Sequence, residues 1–287
     1  MEVIDDTANA DMSEYWNGDG GLKWVNFQNR IDESLTSFGH RAMANAAIKA
    51  GEHVLDIGCG CGDTSFEIAN RVGPTGSVQG VDISEIILSR AKNRKTLESH
   101  NNIKFEKADA QLHNFPNEAF DLVFSRYGIM FFEDPAAAFS NLRQALKPGG
   151  RLAFICWQSL KNNQWVNLPV SVAANHIQLP APPEPEEPGA FSFGETSRIN
   201  HILAAAGFMD IFIEEFNTKF KVGSSLDEAV SFLSKIGPAS AAMEADEVED
   251  KTRNRFAHDL KISLERFLSA DGVLLDASAW IVTAKKP

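Results

Sequence analysis

Cysteine is scarce in this chain: three thiols among 287 residues, an odd number. That argues against a disulfide scaffold and makes a reducing cytoplasm the expected compartment. Long apolar runs are missing too, and none approaches the roughly 20 residues that a membrane span needs. Positive charge is in deficit, with 27 Lys and Arg against 39 Asp and Glu, a formal net charge of -12. Such a balance opposes binding to a phosphate backbone through a broad electrostatic footprint, so nucleic acid is not an expected partner. The opening stretch carries Glu2, Asp5, Asp6, Asp11 and Glu14 and no basic residue before Lys23, the reverse of the charged start of a signal peptide. The seven histidines show no metal-ligand spacing, and no internal repeat is present.

What is present has a rhythm. VLDIG (54–58), SVQGVD (77–82), IKFEKAD (103–109), DLVFSR (121–126) and RLAFICW (151–157) are short, nearly continuous apolar runs, the pattern of strands covered on both faces. Helical spacing lies between them: Phe66, Ala69 and Val72 after the first run, then Ser84 as a cap ahead of Ile87, Leu88 and Ala91. Asp134 and Pro135 open a further helix carrying Phe139, Leu142 and Leu146. Ahead of the first run, Ile31, Leu35, Phe38 and Ala42 form the apolar stripe of an amphipathic helix. The expected fold is α/β, a doubly wound and mostly parallel sheet in one elaborated domain.

Past Trp157 the rhythm breaks. Residues 180–188, PAPPEPEEP, hold five of the twelve prolines and predict an extended surface loop. A helix over about 196–206, closed by Gly207, leads into the strand FMDIFIEEF (208–216). Residues 217–276 read as a mostly helical, polar detour, and SAWIVTAK (278–285) as a last strand.

The chemistry concentrates after the first run, in GCGCGD. Gly58, Gly60 and Gly62 sit between a strand and a helix start, where bare backbone and free N–H groups admit a ligand closely. A dinucleotide loop, G-x-G-x-x-G, would need glycine at 63, and that residue is Asp63. A carboxylate there, with Asp56 nearby, disfavours a pyrophosphate, so the ligand is expected to be neutral or cationic. Asp82 ends the second strand 20 residues past Gly62, the spacing that puts a carboxylate under a ribose. Asp109 ends the third run in the same way. Cys59 and Cys61 lack the spacing and partners of a zinc site, and small buried loop residues account for them better.

This ordered set resembles the class I S-adenosylmethionine-dependent methyltransferases, in the branch related to ubiquinone and menaquinone methyltransferases. DIGCGCG, the acid of GVDIS, KADAQ and DLVFSRYGIMFF match its successive motifs over about residues 50–157. The resemblance implies a Rossmann-like, seven-stranded sheet whose last strand is antiparallel, with helical insertions. It implies S-adenosylmethionine as cofactor and S-adenosylhomocysteine as product. It places Asp56, Gly58, Cys59 and Gly60 near the methionine portion, Asp82 on the ribose, Ile83 on the adenine face, Asp109 and Ala110 at the adenine edge, and Ser125 at the end of the fourth strand. Tyr15, Trp16, Asn17 and Gly18, followed by Trp24, also resemble the N-terminal segment of a bacterial subgroup, in which it caps the cofactor. One domain is then expected: a cap and first helix over 1–50, a cofactor-binding core over 51–157, and remaining core strands over 158–287 with lid-like insertions at 158–195 and 217–276.

The implied reaction is methyl transfer to a small, partly apolar molecule, by a monomer or homodimer. Arg126, Tyr127 and Trp157 fall on the acceptor side, and Tyr127 is a candidate hydrogen-bond partner or base. The N-P-P-Y type motif of methyltransferases acting on flipped bases is absent, the corresponding residues being SRYG. Two alternatives stand beside this one: a nicotinamide-dependent oxidoreductase, and a non-catalytic nucleoside-binding protein.

Overall fold

The computed structural model describes residues 8–98, 100–184, 186–244 and 248–287. Glu2, Asp5, Asp6 and Pro185 therefore lie outside the described residues.

Three helices precede the first strand: α1 (Ala10–Asn17), α2 (Asp19–Asn26) and α3 (Gln28–Ala46). The apolar stripe of α3 is fully used, with Ile31, Leu35, Phe38 and Ala42 all buried in the core. Alternation follows as β1 (His53–Ile57), α4 (Asp63–Val72), β2 (Ser77–Asp82), α5 (Glu85–Glu98), β3 (Ile103–Lys107), β4 (Phe120–Arg126), α6 (Pro135–Ala145) and β5 (Leu146–Trp157). The predicted caps form. Ser84 Oγ accepts the Ile87 N–H at 3.2 Å, and Asp134 accepts the Ala137 N–H at 3.0 Å, which satisfies donors that a helix start leaves free.

The later elements are α7 (Gln164–Ala173), α8 (Thr196–Ala205), β6 (Met209–Gly223), α9 (Leu226–Leu233), α10 (Pro238–Met243), α11 (Asp250–Leu264), β7 (Leu268–Ser269) and β8 (Gly272–Lys285). The sheet order is β3-β2-β1-β4-β5-β8-β6, with the short β7 beside β8. Strands β1 to β5 pair in parallel, while β8 runs antiparallel to both neighbours. The expected doubly wound sheet with an antiparallel last strand is therefore the fold, with β7 as an eighth, two-residue strand. Among the described residues no helix is long and apolar enough to cross a membrane.

Three boundaries depart from the sequence pattern. α6 ends at Ala145, and Leu146, expected on the helix, is extended and opens β5. β3 stops at Lys107, leaving Asp109 in the loop beyond it. Residues 217–223 and 272–277 belong to β6 and β8, not to a helical detour. Their period is two: Phe220 and Val222, and Val273, Leu275 and Ala277, point inward, and alternation decides strand whatever the overall polarity. Lys219 faces Asp276 across the pair at 2.5 Å. The second insertion thus spans 224–271. Because β5 ends opposite Ala279 while β6 and β8 stay paired as far as Gly223 and Val273, this ribbon projects past the carboxyl end of β5 and carries Phe220 over the site.

Candidate active site

The glycine loop joins β1 to α4 and is pinned from two sides. Cys59 N–H donates to Val81 O at 3.0 Å, and Gly60 N–H donates to Asp82 Oδ2 at 2.9 Å. Asp82 Oδ1 accepts the Ser84 N–H at 3.0 Å, so one carboxylate orients both the loop and the start of α5. Gly58 has φ of +61°, and a Cβ built there would stand 2.6 Å from Gly128 Cα. Only glycine meets both demands, a left-handed backbone and contact with another main chain. Ser125 holds the opposing wall: its Oγ donates to Ile57 O at 2.7 Å and accepts the Gly128 N–H at 3.2 Å.

Asp56 lies beneath the loop with no exposed surface. Thr64 and Ser65 hydroxyls donate to its Oδ2 at 2.8 and 2.6 Å, and Oδ1 has no partner among the described residues. Burial pushes its carboxyl up to about 6, against the pull of those two hydroxyls. Burial also raises Asp82, partly offset by the N–H groups of Ser84, Gly60 and Ile83. The loop thiols are buried, and burial pushes Cys61 up to about 12 and Cys59 well above its ordinary value. Both are protonated packing groups at neutral pH.

Helices α1 and α2 lie across the strand ends. Asn17 accepts the Glu85 N–H at 2.9 Å and donates to Ile83 O at 3.2 Å, while Ser84 Oγ donates to Trp16 O at 2.6 Å. Asn9 donates to Asp109 Oδ2 at 2.9 Å, and Asp109 Oδ1 accepts the Gln111 N–H at 2.9 Å. These bonds seat Trp16 edge-on against Trp24 and Phe131, at 5.7 and 5.3 Å between ring centres. The N-terminal segment thus covers the glycine loop.

Between this cover and the strand ends is a cavity of about 500 Å³. Its wall includes Gly58, Gly60, Asp82, Ile83, Asp109 and Ala110, the cap residues Tyr15, Trp16 and Trp24, and Arg126, Tyr127 and Trp157. Asp56, Cys59 and Ser125 do not line it; they stand one layer behind, shaping the loop. Leu35 of the α3 stripe and four residues the sequence pattern did not single out, Trp165, Phe220, Phe232 and Phe191, complete the outer half. The alternation through Phe220 could have revealed that residue, but the other three come from segments with no local motif.

Polar groups in the outer half are few. Arg126 is held by Asp63 at 2.8 Å and Asp32 at 3.3 Å, and Arg94 reaches Asp32 at 3.2 Å. Burial works against the Arg126 charge, yet Asp63 and Asp32 outweigh it and raise its pKa. Asp63, where a dinucleotide loop needs glycine, is thereby an anchor for Arg126 and occupies the ground of a pyrophosphate. Lys23 on α2 pairs with Glu244, which also takes Lys235 at 2.9 Å, tying the cap to the α9–α10 insertion. Tyr127 has φ of 62° and stacks on Trp157 with ring centres 4.2 Å apart.

Residues 48–207 match the family model described as Methyltransferase domain. The chain belongs to this family. Its methyltransferase domain is 37% identical over 122 residues to aklanonic acid methyltransferase DauC of Streptomyces sp. (strain C5), covering 42% of this chain and 56% of that one. It is 32% identical over 206 residues to the 2-phytyl-1,4-naphtoquinone methyltransferase of Synechococcus elongatus, 62% of this chain and 88% of that one. The chain spans about half the length of the first of these relatives. Among solved structures, phosphoethanolamine N-methyltransferase 2 of Haemonchus contortus, in complex with S-adenosyl-L-methionine, superposes with a TM-score of 0.59. That match has 19% identity over 97% of this chain and 59% of that one, a likeness of fold. The methyltransferase domain here has the class I sheet, with the cavity at the carboxyl ends of its parallel strands, where open α/β sheets bind ligands.

Proposed function

We propose that this protein is a cytoplasmic S-adenosylmethionine-dependent methyltransferase acting on a small, planar, aromatic or quinone-like molecule. The observation that carries it is one cavity with two unlike halves: open backbone at Gly58 and Gly60 beside the Asp82 carboxylate, facing a box of aromatic rings. The residues present fit the cofactor. Each Asp82 oxygen uses one hydrogen bond on the main chain and keeps lone pairs for ribose hydroxyls. Ile83 and Ala110 offer apolar faces to an adenine and Asp109 an acceptor to its amino group, while Asp56, Cys59 and Ser125 shape the loop from behind. When bound, S-adenosylmethionine supplies an electrophilic methyl group on a positively charged sulfur. Trp16 and Trp24 exclude water there and attract such a charge by about 0.5 to 2 kcal/mol.

The acceptor half supplies apolar area and orientation. Holding nucleophile and methyl carbon within about 3 to 3.5 Å accounts for up to roughly 7 to 11 kcal/mol of such a barrier, and stacked rings such as Tyr127 on Trp157 hold a flat molecule in one plane. The name of one relative, a naphthoquinone methyltransferase, supports a flat acceptor. The insertions at 158–195 and 224–271 serve as a lid over this half.

Calorimetry with S-adenosylhomocysteine tests the cofactor assignment. Wild-type protein binds it, and Asp82→Ala binds about ten- to a hundredfold more weakly, because hydrogen bonds to a charged group are lost. Unchanged affinity in that variant removes the ribose role. Binding of reduced nicotinamide cofactor with no S-adenosylhomocysteine binding would favour an oxidoreductase, and labelled methyl transfer into naphthoquinols separates an enzyme from a mere nucleoside binder.

A further inference from the structure

One residue at the start of the N-terminal cap belongs to no motif and yet reaches the cofactor half. Asn9 immediately precedes α1, is 5% exposed, and lines the cavity together with Asp109 and Ala110. Its φ is +59°, a left-handed conformation that asparagine tolerates better than most residues. Every polar atom of its side chain is committed. Oδ1 accepts the Glu133 N–H at 2.7 Å, while Nδ2 donates to Asp109 Oδ2 at 2.9 Å and to Gln111 Oε1 at 3.2 Å. The Glu133 N–H can only donate, which fixes the amide oxygen on that side and turns the amide nitrogen toward Asp109.

Helix capping does not account for this side chain, which makes no hydrogen bond to the free N–H groups of α1. It reaches 100 residues along the chain instead, to a carboxylate on the cavity wall. Asp109 Oδ1 accepts the Gln111 N–H at 2.9 Å and Oδ2 accepts the Asn9 amide, so one oxygen is held from its own loop and the other from the cap. Gln111 is braced in turn, its Oε1 accepting the Asp134 N–H at 3.0 Å. Without Asn9 the carboxylate would keep one of these two bonds, and rotation about the last side-chain bond of an aspartate is otherwise broad. Held at both oxygens it cannot turn, and each oxygen still has lone-pair capacity for a ligand.

Resting on the methyltransferase assignment and the place it gives Asp109 at the adenine edge, we propose that Asn9 is a positioning residue for base recognition, holding the Asp109 carboxylate in the rotation that accepts the adenine amino group and rejects a base with an oxo group there. An amino group donates to such a carboxylate. An oxo group in its place sets oxygen against oxygen, and a fixed carboxylate cannot turn away to relieve the contact. The cap thus takes part in choosing the cofactor's base as well as covering it.

The test compares S-adenosylhomocysteine with S-inosylhomocysteine, which carries an oxo group in place of the amino group, by calorimetric titration of the full chain. Wild-type protein prefers S-adenosylhomocysteine by about tenfold or more, because the analogue loses a hydrogen bond to a charged group and leaves that group unpaired. Asn9→Gly keeps the left-handed turn and removes only the side chain; its preference falls to less than about threefold. Asp109→Ala loses the preference as well, and adding Asn9→Gly to it moves the preference no further, the mark of a residue that acts through its partner. A preference undiminished in Asn9→Gly overturns the inference, even where both affinities weaken together as a merely structural tie would make them. So does a preference retained in Asp109→Ala, or none in wild type. Failure of wild type to bind S-adenosylhomocysteine instead overturns the methyltransferase assignment itself.

Discussion

The inner half of the cavity draws its glycines and acids from one stretch of chain, residues 57–110, and presents mainly backbone and carboxylate. The outer half collects apolar side chains from α3, β5, α7, β6 and α9, from Leu35 to Phe232, and presents almost no free polar group. A ligand portion shared by many proteins can be held by local strand-to-helix turns, because main chain and strand-end acids recur wherever the turn recurs. A ligand portion peculiar to one protein needs shape, and shape is built by bringing distant segments together. The two halves should therefore respond to substitution separately.

The largest expected effect is at the inner half. Gly58→Ala combines left-handed strain of about 1 to 2 kcal/mol with overpacking against Gly128 of about 1 to 3. Calorimetric unfolding should show a loss of about 2 to 5 kcal/mol, and S-adenosylhomocysteine affinity should drop at least about tenfold. Trp165→Ala in the outer half should leave that affinity within about twofold. If both variants lose the cofactor alike, the halves are not separable.

Next comes the layer behind the glycine loop. The folded protein holds the Asp56 proton more tightly than the unfolded chain does, because burial raises the carboxyl from 3.8 to about 6. Its contribution to stability is full below about pH 4, is lost as pH rises through about 6, and is constant beyond; the difference is of order 3 kcal/mol. Asp56→Asn should abolish this slope and stabilise the protein above about pH 6 by up to that amount, read by denaturant unfolding at several pH values. An unchanged slope would mean that the Asp56 charge is already well compensated.

The smallest effect belongs to the bridge between halves. Glu244 and Lys23 are roughly a third exposed, so Glu244→Gln should cost less than about 1 kcal/mol in low salt and nothing measurable in high salt. A loss above about 2 kcal/mol would make the bridge a structural strut.

The same division governs what was legible in the sequence. The strand-and-helix rhythm, the caps at Ser84 and Asp134 and the spacing from Gly62 to Asp82 are local, and each is present in the fold. Asp82, Asp109 and the cap tryptophans meet at one cavity, as their motifs imply. Asp56, Cys59 and Ser125 carry motif positions yet stand behind the wall, because a motif records which residues shape a loop without saying which atoms face outward. The extensions of β6 and β8 were hidden by Lys219, Lys221 and Asp276 between the core residues, although Phe220, Val222 and Leu275 alternate inward. Trp165, Phe232 and Lys235 have no local signature at all, since only tertiary packing brings them to the cavity wall.

The position of β8 has its own consequence for assembly. It is the latest strand in chain order yet sits between β5 and β6, so during synthesis both neighbours emerge first and wait with open edges. At about 5 to 20 residues per second, that interval lasts on the order of seconds, a window in which unpaired edges invite contact with other chains. The nucleoside floor, made from the ends of β1, β2 and β3, does not depend on that arrival. A growing chain thus completes the part that grips the donor before it owns a chamber for anything to be modified.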